Sequence, residues 1–190
     1  MLLRRQHCEK GSSIIEVLAV LALIGIFAMG MLAGYNHVMG KFNTSKIVTR
    51  AQALMKNLSS YFSSFRSYPA MTAKQLFDLG FIEGDSFDQE TNQAVHPFNG
   101  EITFAVKNGG LRYSITYHGL PGNVCVAMAM MDIPVTNLLS IQIGNHTARH
   151  YPEPGVAYNQ NIHLPYVMNE AGDECDADEE DGNDIEFVFM

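Results

Sequence analysis

Glu9-Lys10-Gly11-Ser12-Ser13-Ile14-Ile15-Glu16-Val17-Leu18 opens an apolar run that stays free of charge over residues 17–34 and carries one carboxylate, Glu16, at its head. A charged side chain in the hydrocarbon of a bilayer costs about 2.5–3.5 kcal/mol even on lenient insertion scales, so Glu16 must be neutralised or meet a cation. The nearest source of one is a new amino terminus. At the rise of an α-helix residues 17–34 span about 27 Å, and Ile14 and Ile15 extend that to most of a bilayer. Arg4, Arg5 and Lys10 flank the run on its N-terminal side, which orients that end to the cytoplasm and exports the rest. A secretory signal has a shorter apolar region, about 7–15 residues, before a small-residue cleavage site. Ala28-Met29-Gly30 imitates such a site, but the run is too long. Cys8 precedes the run instead of closing it, which excludes a lipoprotein signal.

Outward from this stretch, 190 residues at 47% hydrophobic suffice for one domain with a sizeable core. The formal charge of −8 argues against a general nucleic-acid surface and against docking on anionic lipid. From Tyr35 the pattern becomes one-sided: Tyr35, Val38, Met39 and Phe42, then Val48, Ala51, Leu54, Met55, Leu58, Phe62 and Phe65, in steps of three and four. That spacing is helical amphipathicity. Lys41, Asn43, Lys46, Arg50 and Lys56 fall on the wet side. Tyr68-Pro69 ends the helix, because the residue before a proline is pushed out of the helical region. The expectation is one helix over residues 12–66, roughly 80 Å long, whose part at 12–35 lies in the membrane.

Residues 67–190 read as a compact α/β head. Thr72-Ala73-Lys74-Gln75 is a capping-box pattern ahead of a short helix at 73–79. Residues 84–100 read as loop. Ile102, Phe104 and Val106 alternate up to Asn108-Gly109-Gly110, and Leu111, Tyr113, Ile115 and Tyr117 alternate away from it, which predicts a hairpin. A second helix fits 122–131, with its methionines as core filler. Further strands fit 138–143 and 185–190. The fold class is α+β: a long N-terminal helix packed on a small antiparallel sheet.

The quoted stretch resembles the processing site of the type IV pilin and pseudopilin family, in which a dedicated peptidase cuts after the glycine and methylates the new amino terminus. The resemblance implies that residues 1–11 are a leader ending at Gly11. Ser12 is then the new, N-methylated terminus and Glu16 the assembly residue, the fifth of the mature chain. Most members begin with Phe or Met where this chain has Ser12, and a variable first residue is similar to the type IVb branch. The charge chemistry agrees with the resemblance. Cleavage leaves an ammonium group one helical turn from Glu16, and in a bundle of subunits Glu16 of one copy pairs with the Ser12 amine of the next. A slip in register strands both ions in apolar surroundings.

The resemblance further implies a structural subunit that polymerises through its helix into an extracellular helical filament. Its partners are then the prepilin peptidase, the inner membrane, an inner-membrane assembly platform and other copies of itself, with no nucleic acid. An exported even pair, Cys125 and Cys175, is expected to be bridged, as in the family's disulfide-bounded loop. Two alternatives stand beside this: a pseudopilin of a type II secretion system, and a membrane-anchored periplasmic binding module. Residues 170–186 hold half of the 20 acidic residues, and read as a solvated exposed loop. Asp173, Asp176, Asp178, Asp181 and Asp184 offer calcium-type ligands, without EF-hand spacing. No other cofactor is expected. His146 and His150 lack the glutamate of a zinc protease helix, and no phosphate loop or nucleophile elbow occurs, so no enzyme is read.

Overall fold

The computed structural model describes residues 14–152, 157, 159, 163–175 and 182–190. Its contacts divide the chain into two units, 1–42 and 43–190. Helix α1, Ile14–Phe62, contributes to both. In the first unit every side chain described over residues 14–31 is exposed, from Ile14 at 79% to Val17 at 49%. Ile14–Met31 is long and apolar enough to cross a membrane. Tyr35, Val38 and Phe42 also stay exposed, so the one-sided stripe gains its packing only in the second unit.

There Ile47, Ala51, Leu54, Met55, Leu58 and Phe62 are buried, in helical steps, and Ile47 takes the inward position expected of Val48, which is half-buried. α1 ends at Phe62, short of the expected end at residue 66. The Ser63 hydroxyl donates to the Ser60 carbonyl at 2.7 Å and the Phe65 N–H to the Phe62 carbonyl at 2.9 Å, which diverts the carbonyls a further turn would need. α2, Ala73–Asp78, follows with the capping box formed: the Gln75 N–H donates to Thr72 Oγ1 at 3.2 Å, and the Thr72 N–H to Gln75 Oε1 at 2.9 Å.

Among the described residues seven strands form one antiparallel sheet: β1 Phe87–Asp88, β2 Gln93–Val95, β3 Glu101–Lys107, β4 Arg112–Leu120, β5 Leu138–Ile143, β6 Arg149–His150 and β7 Asn183–Phe189, in the order β1-β2-β3-β4-β7-β5-β6. The hairpin β3–β4 turns on Asn108 (φ 51°), Gly109 (φ 65°) and Gly110 (φ 95°), three left-handed positions in a row that this tripeptide tolerates. The segment expected to be loop, 84–100, instead contains a 3-10 turn at Gly84–Ser86 and the two short strands β1 and β2. The C-terminal strand β7 lies in mid-sheet, between β4 and β5, pairing Ile115 with Phe187 on one side and Ile141 with Phe187 on the other. Gly182 leads into it with φ 75°, where a Cβ would come within 2.7 Å of the Gly119 backbone.

Tyr113, Ile115 and Tyr117 of β4 and Ile185, Phe187 and Phe189 of β7 form one core with α1. Phe62 of α1 meets the Tyr113 ring at 5.2 Å, and Tyr113 stacks on Phe189 at 4.9 Å. Each such fully buried side chain is worth about 1.5–3 kcal/mol. α3, Gly122–Ala129, ends two residues before the expected helix at 122–131, and α4, Met168–Glu174, was not apparent from the sequence.

Candidate functional site

Over Ile14–Met31 the first unit carries a single charged side chain. Glu16 stands in the first turn of α1, exposed, flanked by Ile15 (76% exposed) and Val17 (49% exposed). It makes no ion pair among the described residues. Gly11 and Ser12, the expected cleavage pair, lie outside the described residues. Gly25, Gly30 and Gly40 have nothing within 4 Å of where a Cβ would stand, so none of them is required by packing within the described chain. A carboxylate with no ion pair among the described residues, at the end of a bare apolar helix, must in lipid either take up a proton or meet a cation from outside this part of the chain.

In the second unit α1 carries its own ion pairs. Lys46 Nζ donates to Asp85 Oδ2 at 2.6 Å, and Arg50 reaches Asp85 at 2.7 Å and Glu83 at 2.5 Å. Hydrogen bonds from Arg50 and then Lys46 pull the Asp85 carboxyl down to about 2. These two cations, expected on the wet face, tie α1 to the 3-10 turn before β1. They remain partly solvated, so the pairs fix position more than they stabilise.

The disulfide forms between Cys125 in α3 and Cys175 after α4, with Cα atoms 5.8 Å apart. Beside it sits a cluster that the sequence did not reveal. Arg149 of β6, with 5% of its side chain exposed, donates from Nη1 to Glu170 Oε2 at 2.7 Å and from Nε to Glu174 Oε1 at 3.0 Å. The Tyr166 hydroxyl donates to Glu174 Oε2 at 2.7 Å, and the Tyr166 ring lies 4.3 Å from the guanidinium. Burial opposes the Arg149 charge, but Glu174, Tyr166 and Glu170 outweigh it and raise its pKa. Glu170 and Glu174 are four apart on α4, one face of a helix, and that spacing with an isolated Arg was the available signal.

The acidic segment is therefore not simply a solvated loop. Glu170 and Glu174 hold Arg149, Asp184 holds His118, and Glu186 accepts from Lys107 at 2.6 Å. Asp176, Asp178 and Asp181 lie outside the described residues. Among the described residues no group of three His, Cys, Asp or Glu is placed to hold a metal ion. His146 and His150 are both exposed, at the end of a turn and in β6, and no helix joins them.

Three neighbouring strands also align a hydroxyl, an imidazole and a carboxylate. Because a carboxylate only accepts, His118 Nδ1–H donates to Asp184 Oδ2 at 2.8 Å, and Nε2 lies in hydrogen-bond contact with the Thr103 hydroxyl at 2.9 Å. Asp184 Oδ1 accepts from the Gly119 N–H at 3.1 Å. The geometry is that of an activated nucleophile. Thr103 nevertheless stands in mid-strand, paired with Thr116, where neighbouring amides serve the sheet ladder and offer no oxyanion site. Neither the cavity beside His96 nor the one beneath Tyr113 is lined by Thr103 or His118. The arrangement fastens β3, β4 and β7 together.

A family model described as Bundlin matches residues 43–187. Two relatives, each described as the major structural subunit of bundle-forming pilus, come from Escherichia coli O127:H6 (strain E2348/69 / EPEC) and Escherichia coli O111:H-. Both are 23% identical over 127 residues, 66% of this chain and 66% of theirs, so the chain spans just under two thirds of the length of the relatives it matches. Among solved structures, the type IV b pilin from Salmonella typhi aligns with a TM-score of 0.53 at 20% identity, over 74% of this chain and 95% of that one. TcpA, a type IV pilin from Vibrio cholerae El Tor biotype, aligns with a TM-score of 0.50 at 14% identity, over 78% and 99%. At these identities the structural likeness is one of fold: an α+β head with a long helix on an antiparallel sheet.

Proposed function

Because the chain belongs to the Bundlin family of type IV pilins, we propose that it is a non-enzymatic structural subunit of a pilus, which polymerises through the first part of α1 into an extracellular filament. Before assembly it is anchored in the inner membrane by residues 12–35, with 1–11 as a leader that the prepilin peptidase removes after Gly11. The new Ser12 amine is methylated, and the inner-membrane assembly platform then draws subunits into the fibre.

The observation that carries the assembly reading is the state of α1 over Ile14–Met31: an apolar surface that no described residue covers, and one carboxylate, Glu16, in its first turn. A bundle of such helices covers the apolar surface, and the Ser12 amine of a neighbouring copy answers the carboxylate. The pair also sets the axial offset between neighbours, because a slipped register leaves two ions in apolar surroundings.

The test is assembly itself. Glu16→Ala is expected to be exported and cleaved, yet to yield few filaments on shearing, while Gly11→Val retains the leader and yields none. Normal fibres from the Glu16 variant overturn the pairing. Wild-type cells that release no sheared filament of this chain favour a pseudopilin or an anchored module instead.

A further inference from the structure

The head contains a cavity of about 120 Å³ between α1 and the turn joining β2 to β3. Leu54, Ile82, Ile102 and Tyr117 form its buried wall, and Ala53 and Glu83 are exposed at its rim. Its polar groups are nearly all committed. His96 Nε2 bonds the His118 carbonyl at 2.7 Å, and its Nδ1 accepts from the Phe98 N–H at 3.2 Å. Arg50 donates to Ser86 Oγ at 2.9 Å and to Asp85 at 2.8 Å, and pairs with Glu83.

Asn57 is exposed at the lining, and the buried exception is Tyr117. Its side chain lines the cavity and is 2% exposed, and its hydroxyl makes no hydrogen bond to any described residue. Buried hydroxyls are ordinarily paired. Burial drives this one's pKa upward, so it remains a donor at every physiological pH.

We propose that this cavity binds a small neutral molecule of one ring bearing a hydrogen-bond acceptor, with the ring against Leu54 and Ile102 and the acceptor on the Tyr117 hydroxyl. Size sets the first limit: a cavity of about 150 Å³ lined by apolar side chains holds benzene, so one ring fits here and two do not. Charge sets the second. An anion meets Glu83 and Asp85, which already neutralise Arg50, and a cation meets Arg50 itself. A neutral ring meets neither penalty, and it gives the Tyr117 hydroxyl an acceptor that no described residue supplies. The site lies wholly within residues 47–117 of the head and does not depend on how the subunit is processed or assembled.

The full chain in dodecyl maltoside micelles, titrated with 4-fluorophenol and followed by ¹⁹F NMR, tests this. Saturable binding is expected, with 4-fluorobenzoate failing to bind at pH 7. Tyr117→Phe keeps the ring and removes the donor, and should weaken binding roughly 3- to 10-fold, the range of one net hydrogen bond. Ala53→Trp closes the rim from an exposed position, should abolish binding, and gives a reading even if Tyr117→Phe fails to fold. The proposal is overturned if 4-fluorophenol behaves alike with wild type and Ala53→Trp, which is partition into micelles alone. It is equally overturned if Tyr117→Phe binds as tightly as wild type.

Discussion

The two stretches of α1 on either side of Phe42 obey different rules within one helix. Over Ile14–Met31 apolar side chains point in every direction and none is buried. After Asn43 they fall on one stripe, Ile47, Ala51, Leu54, Met55, Leu58 and Phe62, and all six are buried in the head. A stripe means the partner is a single surface of the same chain, and an all-round apolar helix means the partner surrounds it. Charge follows the same division. Lys46 and Arg50 find Asp85 and Glu83 within the head, whereas Glu16 finds no cation among the described residues.

The largest effect that should separate the two stretches is loss of the Cys125–Cys175 bridge. In the chain-entropy model, closing a loop with a sequence separation of 50 is worth about 4 kcal/mol. Cys125→Ser with Cys175→Ser should lower the urea midpoint of the head accordingly, while leaving membrane insertion of the first stretch unchanged. Next, Met55→Ala should cost about 3 kcal/mol, since truncation of a buried Met leaves a cavity. Leu21→Ala, at a position 58% exposed, should leave the head's thermal melt where it was. Equal losses from Met55→Ala and Leu21→Ala would erase the distinction.

Smaller effects sharpen it. Burial lowers the His96 pKa from the ordinary 6.5, so the folded head holds this ring neutral. Below pH 6.5 the unfolded chain takes up that proton first, and His96's contribution, complete above pH 6.5, is lost as pH falls towards the lowered value. The urea midpoint should therefore drop between pH 7.5 and pH 5, and His96→Gln should flatten that dependence. Lys46→Ala should cost only about 0.5 kcal/mol, since its pair with Asp85 is solvated. Even that loss should vanish in 1 M salt, where the screening length is about 3 Å.

How much was legible follows from what each residue's partner was. The β3–β4 hairpin was readable nearly to its ends because alternation and Asn108-Gly109-Gly110 act over a few residues, and the capping box of α2 is equally local. β1 and β2 are too short to show a period. α4 read as an acidic loop because Glu170 and Glu174 look solvated until Arg149, 21 and 25 residues earlier, is brought beside them. Likewise the Thr103–His118–Asp184 alignment depends on strand register across β3, β4 and β7, which no single stretch encodes. At the head of α1 the sequence shows a lone carboxylate before an apolar run, and the structure puts Glu16 in the first turn of that helix. The sequence's further expectations at Gly11 and Ser12 lie outside the described residues.

The direct test of the central claim, that Glu16 is answered by a newly exposed amine, is the intact and N-terminal mass of subunits recovered from sheared filaments. The account predicts a chain beginning at Ser12 with a methylated amine. A filament subunit that begins at Met1, or after Ala33, has no such amine within reach of Glu16 and contradicts it.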